Sequence, residues 1–259
     1  MLPWLWVYGS LAAAAFAAGA VNSVAGGGTL LTFPTLLSVH TPDVVANATS
    51  TAALVPGSLA GAWGYRRELQ GSRRWLLLLF APSLLGGLVG AVLMVRYPES
   101  FKLVIPWLLL SASLLFLAQP YLTRRFPPHS ETGRTSLGVQ GAVVFFQFLV
   151  AVYGGYFGAG IGILMLTSLG FMGIGDVHRI NGVKTILAAV INGVSIVVFV
   201  IYNTIDWRYA PVMAIASVLG GYYGAVIGRR IPKAVLRGFV VAVGLVVAAY
   251  YFLRQGGVI

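Results

Sequence analysis

Charged residues are absent from long stretches of this chain, and these stretches constrain its fold more than any other feature. Six of the uncharged runs have about the 20 residues that an α-helix needs to cross a bilayer. They lie at 44–65, 75–95, 103–123, 185–205, 209–228 and 238–253. Two further runs, 1–42 and 135–175, are about twice as long. The pattern predicts an all-α polytopic membrane protein.

Composition supports this class and excludes others. Of the 259 residues, 58% are hydrophobic and only 9% are charged, whereas soluble domains carry about 25% charged residues. Soluble, disordered and coiled-coil classes are therefore excluded. The chain has no cysteine, so disulfides, thiolate metal sites and cysteine nucleophiles are excluded as well. The net charge of +11 comes from loops between apolar runs, which indicates contact with anionic membrane lipids and no nucleic-acid partner.

Glycine-rich segments interrupt both long runs near their middles. The first segment is Asn22–Gly28 and the second is Gly154–Gly162. Unwound backbone at membrane depth is tolerated where it lines a cavity or is buried in protein. We therefore expect each long run to form a broken helix or a helical hairpin.

The chain repeats itself at an offset of 134 residues without a gap. Seven of the ten residues in Ser83–Val92 are identical to those in Ser217–Val226. The same offset pairs Gly26 with Gly160, Gly28 with Gly162, Asn47 with Asn181 and Thr51 with Thr185. These matches predict two homologous four-segment halves, 1–125 and 135–259, joined by a linker at 126–134. Duplicated halves are typical of secondary transporters, whose sites lie at the repeat interface.

The distribution of Lys and Arg favours inverted halves. If each Gly-broken run crosses the membrane once, the two sides carry nine and seven basic residues, which shows no bias; Lys184, inside a run, is left out of both counts. If each run turns back, one side carries twelve and the other carries four. The basic side then holds the loops 66–74, 124–134, 172–179 and 229–237. The positive-inside rule prefers this second arrangement, with both termini away from the cytoplasm.

The glycine breaks are the first candidate binding sites. A half-helix start offers free N–H groups and a favourable dipole to an anion. The candidate substrate-binding residues here are Asn22, Gly26, Gly27, Gly28, Thr29, Gly158, Gly160 and Gly162. Close helix packing by small residues is the alternative interpretation.

A polar cluster begins the run after each break. Asn47 and Thr51 share one helix face, as do Asn181 and Thr185, and their short side chains suit anion oxygens. Helix capping is the alternative for these four residues. Lys184 lies inside the second cluster, and an ionisable group in a membrane segment indicates function. Its alternative is snorkelling of the ammonium to the headgroups.

Other kinds of chemistry lack the necessary residues. His40, His129 and His178 lie far apart in loops and form no metal-ligand pair. No triad, paired-acid arrangement or nucleotide-binding motif is visible, so we expect neither an enzyme nor a cofactor. No Lys or Arg precedes Arg66, so a cleaved signal peptide is not expected.

Two motifs resemble the TauE/SafE family. The first is Ala18–Leu30, with Pro34 and Ala46–Ser50 following it. The second combines Gly158–Gly162 with Asn181–Lys184. The resemblance extends over nearly the whole chain, in size, span pattern and duplication.

The resemblance implies a multi-pass permease of the prokaryotic plasma membrane. Its substrates would be sulfite, organosulfonates or related small anions, and the family is usually described as exporters. The resemblance does not specify whether a proton or another ion is coupled to transport, which solute is carried, or the oligomeric state. The alternatives are a non-transporting membrane scaffold or a permease for another small solute.

Overall fold

The computed structural model describes residues 3–24, 27–64, 71–125, 137–170, 177–227 and 233–257. The regular elements of this part are all α-helices. They are α1 (Pro3–Val24), α2 (Thr29–Ser38), α3 (Asp43–Gly64), α4 (Arg73–Arg96), α5 (Pro98–Arg125), α6 (Leu137–Tyr156), α7 (Ile161–Gly170), α8 (Val177–Ile201), α9 (Ala210–Ile227) and α10 (Lys233–Gln255). The all-α prediction is confirmed. The predicted linker 126–134 lies outside the described residues.

Six of these helices are long and apolar enough to cross a membrane. They are the segments Trp4–Asn22, Arg73–Arg96, Pro98–Tyr121, Leu137–Tyr156, Arg179–Ile201 and Gly238–Gln255. Large apolar side chains such as Leu77 and Trp107 are more than 60% exposed on their surfaces. A soluble protein would not expose so many, which agrees with a multi-pass membrane protein.

Both long uncharged runs are broken, as predicted. The second helix of each pair, α2 or α7, has only 10 residues, about 15 Å of helix against a hydrocarbon core of about 30 Å. The breaks are shorter than predicted, because α1 continues to Val24 and α6 continues to Tyr156. Asn22 and Gly154 are therefore helical residues.

Four contacts gather distant segments at one end of the bundle. The rings of Tyr8 and Tyr209 lie 5.6 Å apart, and the Asp206 N–H donates to Thr49 Oγ1 (2.9 Å). The Tyr251 hydroxyl donates to Asp43 Oδ1 (2.6 Å). Gln255 Nε2 donates to the Lys102 carbonyl (2.8 Å). This end, called the first end below, therefore holds the starts of α1, α3, α5 and α9 and the ends of α8 and α10. Since α2 leads into α3, it returns to the end from which α1 started.

Glycines allow close packing where helices of the two halves meet. Gly19 of α1 faces the backbone of Ser217 on α9, and Gly90 of α4 faces the backbone of Val152 on α6. A side chain at either glycine would collide with that backbone. The contacts advance together from Tyr8–Tyr209 to Gly19–Gly221, so α1 is parallel to α9. They also advance together from Gly86–Phe148 to Gly90–Val152, so α4 is parallel to α6. The most similar repeated segments, Ser83–Val92 and Ser217–Val226, lie in these interfaces.

Helix contacts of the two halves correspond to each other. Helix α9 packs on α1 and α3, while α4 packs on α6 and α8, and α5 packs on α10. Each half thus gives one helix to the other, and the halves are interleaved. Helix α1 begins at the first end and α6 begins at the opposite, second end. These directions agree with those of an inverted repeat, whose common origin and orientation in the membrane remain predictions.

Candidate functional site

A cavity of about 80 Å³ lies between the two breaks and the middles of α3 and α8. Its lining comprises Asn22, Gly27, Thr29, Thr51, Leu54, Ser58, Gly158, Ile161, Gly162, Lys184, Thr185, Ala188 and Asn192. Eight predicted residues meet there: Asn22, Gly27, Thr29, Thr51, Gly158, Gly162, Lys184 and Thr185. Residues 140 positions or more apart in sequence therefore line one small space.

Asn22 closes the first break from the inside. Its Oδ1 accepts hydrogen bonds from the N–H groups of Gly27 (2.8 Å) and Gly28 (2.7 Å). Gly27 has φ +112°, and the Phe116 ring covers the side where a side chain would project. The predicted use of these two N–H groups for an anion needs correction, because Asn22 already occupies them. What Asn22 leaves for a ligand is its Nδ2 amide group.

The second break has a different arrangement. Gly158, with φ +84°, ends α6, and its N–H donates to the Tyr153 carbonyl (3.3 Å). Gly160, with φ +81°, leads into α7. Within the described part of the chain, the N–H groups of Ile161 and Gly162 have no hydrogen-bond partner. The start of α7 therefore keeps the donors that the start of α2 has lost to Asn22.

Lys184 brings a positive charge to the cavity. Its Nζ donates to Asn181 Oδ1 (3.0 Å), and its side chain passes close to Gly162 at the start of α7. Among the residues described, no carboxylate lies within ion-pair distance of this ammonium. The charge is thus held in place by an uncharged amide and faces the cavity without a counter-ion from the described residues.

All three predicted threonines line the cavity, but the hydroxyl hydrogens of Thr51 and Thr185 point elsewhere. Thr51 Oγ1 donates to the Asn47 carbonyl (3.0 Å), and Thr185 Oγ1 donates to the Asn181 carbonyl (2.7 Å). Such bonds to the carbonyl four residues back are common for threonine in helices. In this arrangement each hydroxyl offers an acceptor to the cavity, whereas the sequence interpretation assigned them as donors.

Five predicted residues do not line the cavity. Asn47 is 1% exposed, and its Nδ2 donates to the Tyr156 carbonyl (3.2 Å) at the end of α6. Asn181 holds Lys184, and Gly28 and Gly160 lie beside lining residues. Gly26 lies outside the described residues. Asn47 and Thr51 were expected to share one role, yet Asn47 lies about 6 Å further along the helix axis, where it bonds the end of α6.

The sequence interpretation missed five lining residues: Leu54, Ser58, Ile161, Ala188 and Asn192. Four of them form pairs at the 134-residue offset, Leu54 with Ala188 and Ser58 with Asn192. These pairs continue the Thr51–Thr185 pair at spacings of three and seven residues, which is one face of a helix. Extending the repeat along that face would have identified them.

No group of three or more His, Asp or Glu residues that could hold a metal ion occurs in the described segments. The polar part of the cavity lining consists instead of amides, hydroxyls, backbone N–H groups and one ammonium, beside the apolar Leu54, Ile161 and Ala188. Such a set suits a small anion better than a metal cation.

The residue pattern of the sulfite exporter TauE/SafE family matches residues 11–251. The chain belongs to this family. A "probable membrane transporter protein" of Haemophilus influenzae is 27% identical over 248 residues, which cover 93% of this chain and 92% of that protein. The "probable membrane transporter protein YfcA" of Escherichia coli K12 is 26% identical, over 91% of this chain and 86% of that protein.

A "probable membrane transporter protein ORF9" of Sinorhizobium sp is 27% identical, with coverage of 85% and 81%. No solved structure matches the chain. The family, the relatives and the six apolar helices together identify a multi-pass membrane protein of a transporter family. The predicted location, the prokaryotic plasma membrane, agrees with the bacterial origin of these relatives.

Proposed function

We propose that this protein is a secondary transporter of a small sulfur-containing oxyanion such as sulfite or an organosulfonate. The main support for this proposal is that three kinds of donor line one cavity: the Lys184 ammonium, the N–H groups at the start of α7 and the Asn22 amide. An anion at membrane depth needs such donors, because an unpaired buried charge is costly. The family pattern supports the same class of solute.

The size of the cavity favours a compact solute. A drug-sized ligand occupies a pocket of about 300–1,000 Å³, whereas this one has about 80 Å³. Such a volume suits an ion with a few non-hydrogen atoms. Inorganic sulfite or a short-chain sulfonate is therefore the preferred solute among the family's range.

The two halves contribute different groups to the proposed site. The second half supplies the charge of Lys184 and the N–H groups of Ile161 and Gly162. The first half supplies the uncharged Asn22 and Ser58. The anion would therefore lie closer to α7 than to α2, and one anion would bind per chain.

Alternating access between the interleaved halves is the proposed mechanism, with export as the proposed direction. No nucleotide-binding motif occurs in the sequence, so a proton or ion gradient is the proposed energy source. A scaffold whose glycines only pack helices is the alternative class. The Gly19 and Gly90 contacts do fulfil that packing role, but they lie in helix interfaces away from the cavity.

Flux in proteoliposomes tests the proposal. Purified protein should transport sulfite and a short alkanesulfonate with saturation, and imposed pH gradients of both signs should show whether a proton is coupled. A divalent metal cation and a neutral amino acid serve as contrasting solutes. Absence of saturable flux for every anion, from protein that is folded and inserted, would support the scaffold instead.

A further inference from the structure

The two equivalent polar clusters beside the cavity differ in exposure. Asn47, Ser50 and Thr51 of the first half are all 9% exposed or less. Their counterparts at the 134-residue offset, Asn181, Lys184 and Thr185, are all partly exposed. Asn47 precedes Thr51 by one turn and so lies nearer the first end, whereas Asn181 lies nearer the second end. The exposed groups are therefore those on the second-end side.

A layer of aromatic rings lies between the cavity and the first end. The rings of Phe33 and Phe157 meet edge to face at 5.6 Å between centroids, and Phe101 lies 6.5 Å from Phe157. All three side chains are 0% exposed. We call these three residues the aromatic layer.

Two residues of the aromatic layer lie close in sequence to residues that line the cavity. Phe33 follows the lining residue Thr29 by one turn of α2, in the direction of the first end. Phe157 directly precedes the lining residue Gly158. Phe101 comes from the first turn of α5, whose start lies at the first end. The three rings therefore lie on the first-end side of the cavity.

A hydrogen bond ties the layer to α3. Asn47 Nδ2 donates to the carbonyl of Tyr156, the residue next to Phe157 (3.2 Å). Asn47 Oδ1 is buried and has no partner within the described residues. Beside it, the hydroxyls of Thr32 and Ser50 share a hydrogen bond of 2.5 Å, which joins α2 to α3.

We propose that Phe33, Phe101 and Phe157 form the gate between the cavity and the first end, and that the Asn47–Tyr156 hydrogen bond keeps it closed. The gate separates helices of both halves, since Phe33 and Phe101 belong to the first half and Phe157 to the second. Movement of one half against the other would part the rings. The inference rests on the proposed transport through this cavity.

Thiol labelling tests the gate without any solute. The chain has no cysteine, so Ser58→Cys would be the sole thiol, placed in the cavity lining. Right-side-out and inside-out vesicles, treated with a membrane-impermeant thiosulfonate, give the labelling rate from each face. Glu99→Cys, 81% exposed at the first end, identifies which face is the first end.

Ser58→Cys should label from the second-end face and only slowly from the first-end face. Adding Phe157→Ala should raise the first-end rate by about tenfold or more. The matched control is Leu79→Ala, which removes another fully buried side chain from the separate core cluster of α4, α6, α7 and α8. If Phe157→Ala does not insert, Phe33→Leu and Asn47→Ala test the same gate.

Equal labelling of Ser58→Cys from both faces without a gate substitution would overturn the gate. So would a first-end rate in the gate variants no higher than in Leu79→Ala. Failure of the transport proposal looks different. In that case the labelling pattern stands as expected, while no anion shows saturable flux in proteoliposomes.

Discussion

Replacing Lys184 with methionine tests the charge at the centre of the proposed site. Lys184→Met retains a long apolar side chain and removes the ammonium that Asn181 holds at 3.0 Å. An anion about 4 Å from the charge gains about 4 kcal/mol at an effective dielectric constant of about 20. Partial exposure of Lys184 and its existing bond to Asn181 reduce this gain to about 2–3 kcal/mol, typical of charged hydrogen bonds.

The expected result is a loss of sulfite affinity of about 30- to 150-fold. Isothermal titration of purified protein measures the affinity, and vesicle flux at several concentrations measures the corresponding KM. Lys184→Arg should retain partial affinity, because its charge remains but its planar head is larger. Lys102→Met is the control, since that lysine is 51% exposed and pairs with Glu99 at 3.0 Å at the first end.

Wild-type affinity in Lys184→Met would refute the reasoning. Wild-type affinity together with reduced membrane insertion would support snorkelling of the ammonium to the headgroups. In that case, the variant would bind normally once folded, but less of it would insert in the membrane.

Three further predictions address the breaks and one loop. Gly27→Ala should abolish transport, because its φ of +112° and the covering Phe116 ring exclude a side chain, whereas Gly141→Ala, which has open space around it, should transport normally in the same flux assay. Asn22→Ala should lower the unfolding free energy in detergent by about 1–2 kcal/mol, since two N–H groups lose their partner. Asn22→Asp should restore that stability but weaken anion binding by titration, because it keeps the acceptor and adds a negative charge. At the α8–α9 loop, the guanidinium of Arg208 donates to Asp206 and holds the pKa of that carboxyl below its usual range. The loop's stabilisation should thus be present above about pH 4 and be lost as the pH falls, and Asp206→Asn should lack this acid-dependent part in thermal unfolding.

Helices and breaks could be predicted from the sequence because burial in a membrane leaves a local signal. Uncharged runs of helix-spanning length mark α4, α5, α8 and α10, and glycine clusters mark the two breaks. The residues of the cavity were predictable wherever the signal recurred at both copies of the repeat. Thr51 with Thr185 was found this way, and Ser58 with Asn192 could have been.

The hydrogen-bond partners of the polar side chains could not be predicted from the sequence. Asn22 was expected to bind a ligand directly, and the sequence does not show that its Oδ1 turns back onto Gly27 and Gly28. Asn47 and Asn181 are equivalent in the repeat, yet one bonds the end of α6 and the other holds Lys184. A difference of one residue, Ser50 against Lys184, changes the partners available to each amide.

The sequence by itself determined that the chain spans a membrane, that a pattern of residues recurs at an offset of 134 and that each half carries a glycine break. These properties depend on hydrophobicity, backbone freedom and repetition, which are local or periodic. Only the tertiary structure decided that α4 and α9 are exchanged between the halves, that both breaks meet at one cavity and that three buried aromatic rings pack beside it. Those features arise from which helix faces pack together, and that choice depends on close contacts between residues distant in sequence, such as Gly90 with Val152 and Phe33 with Phe157.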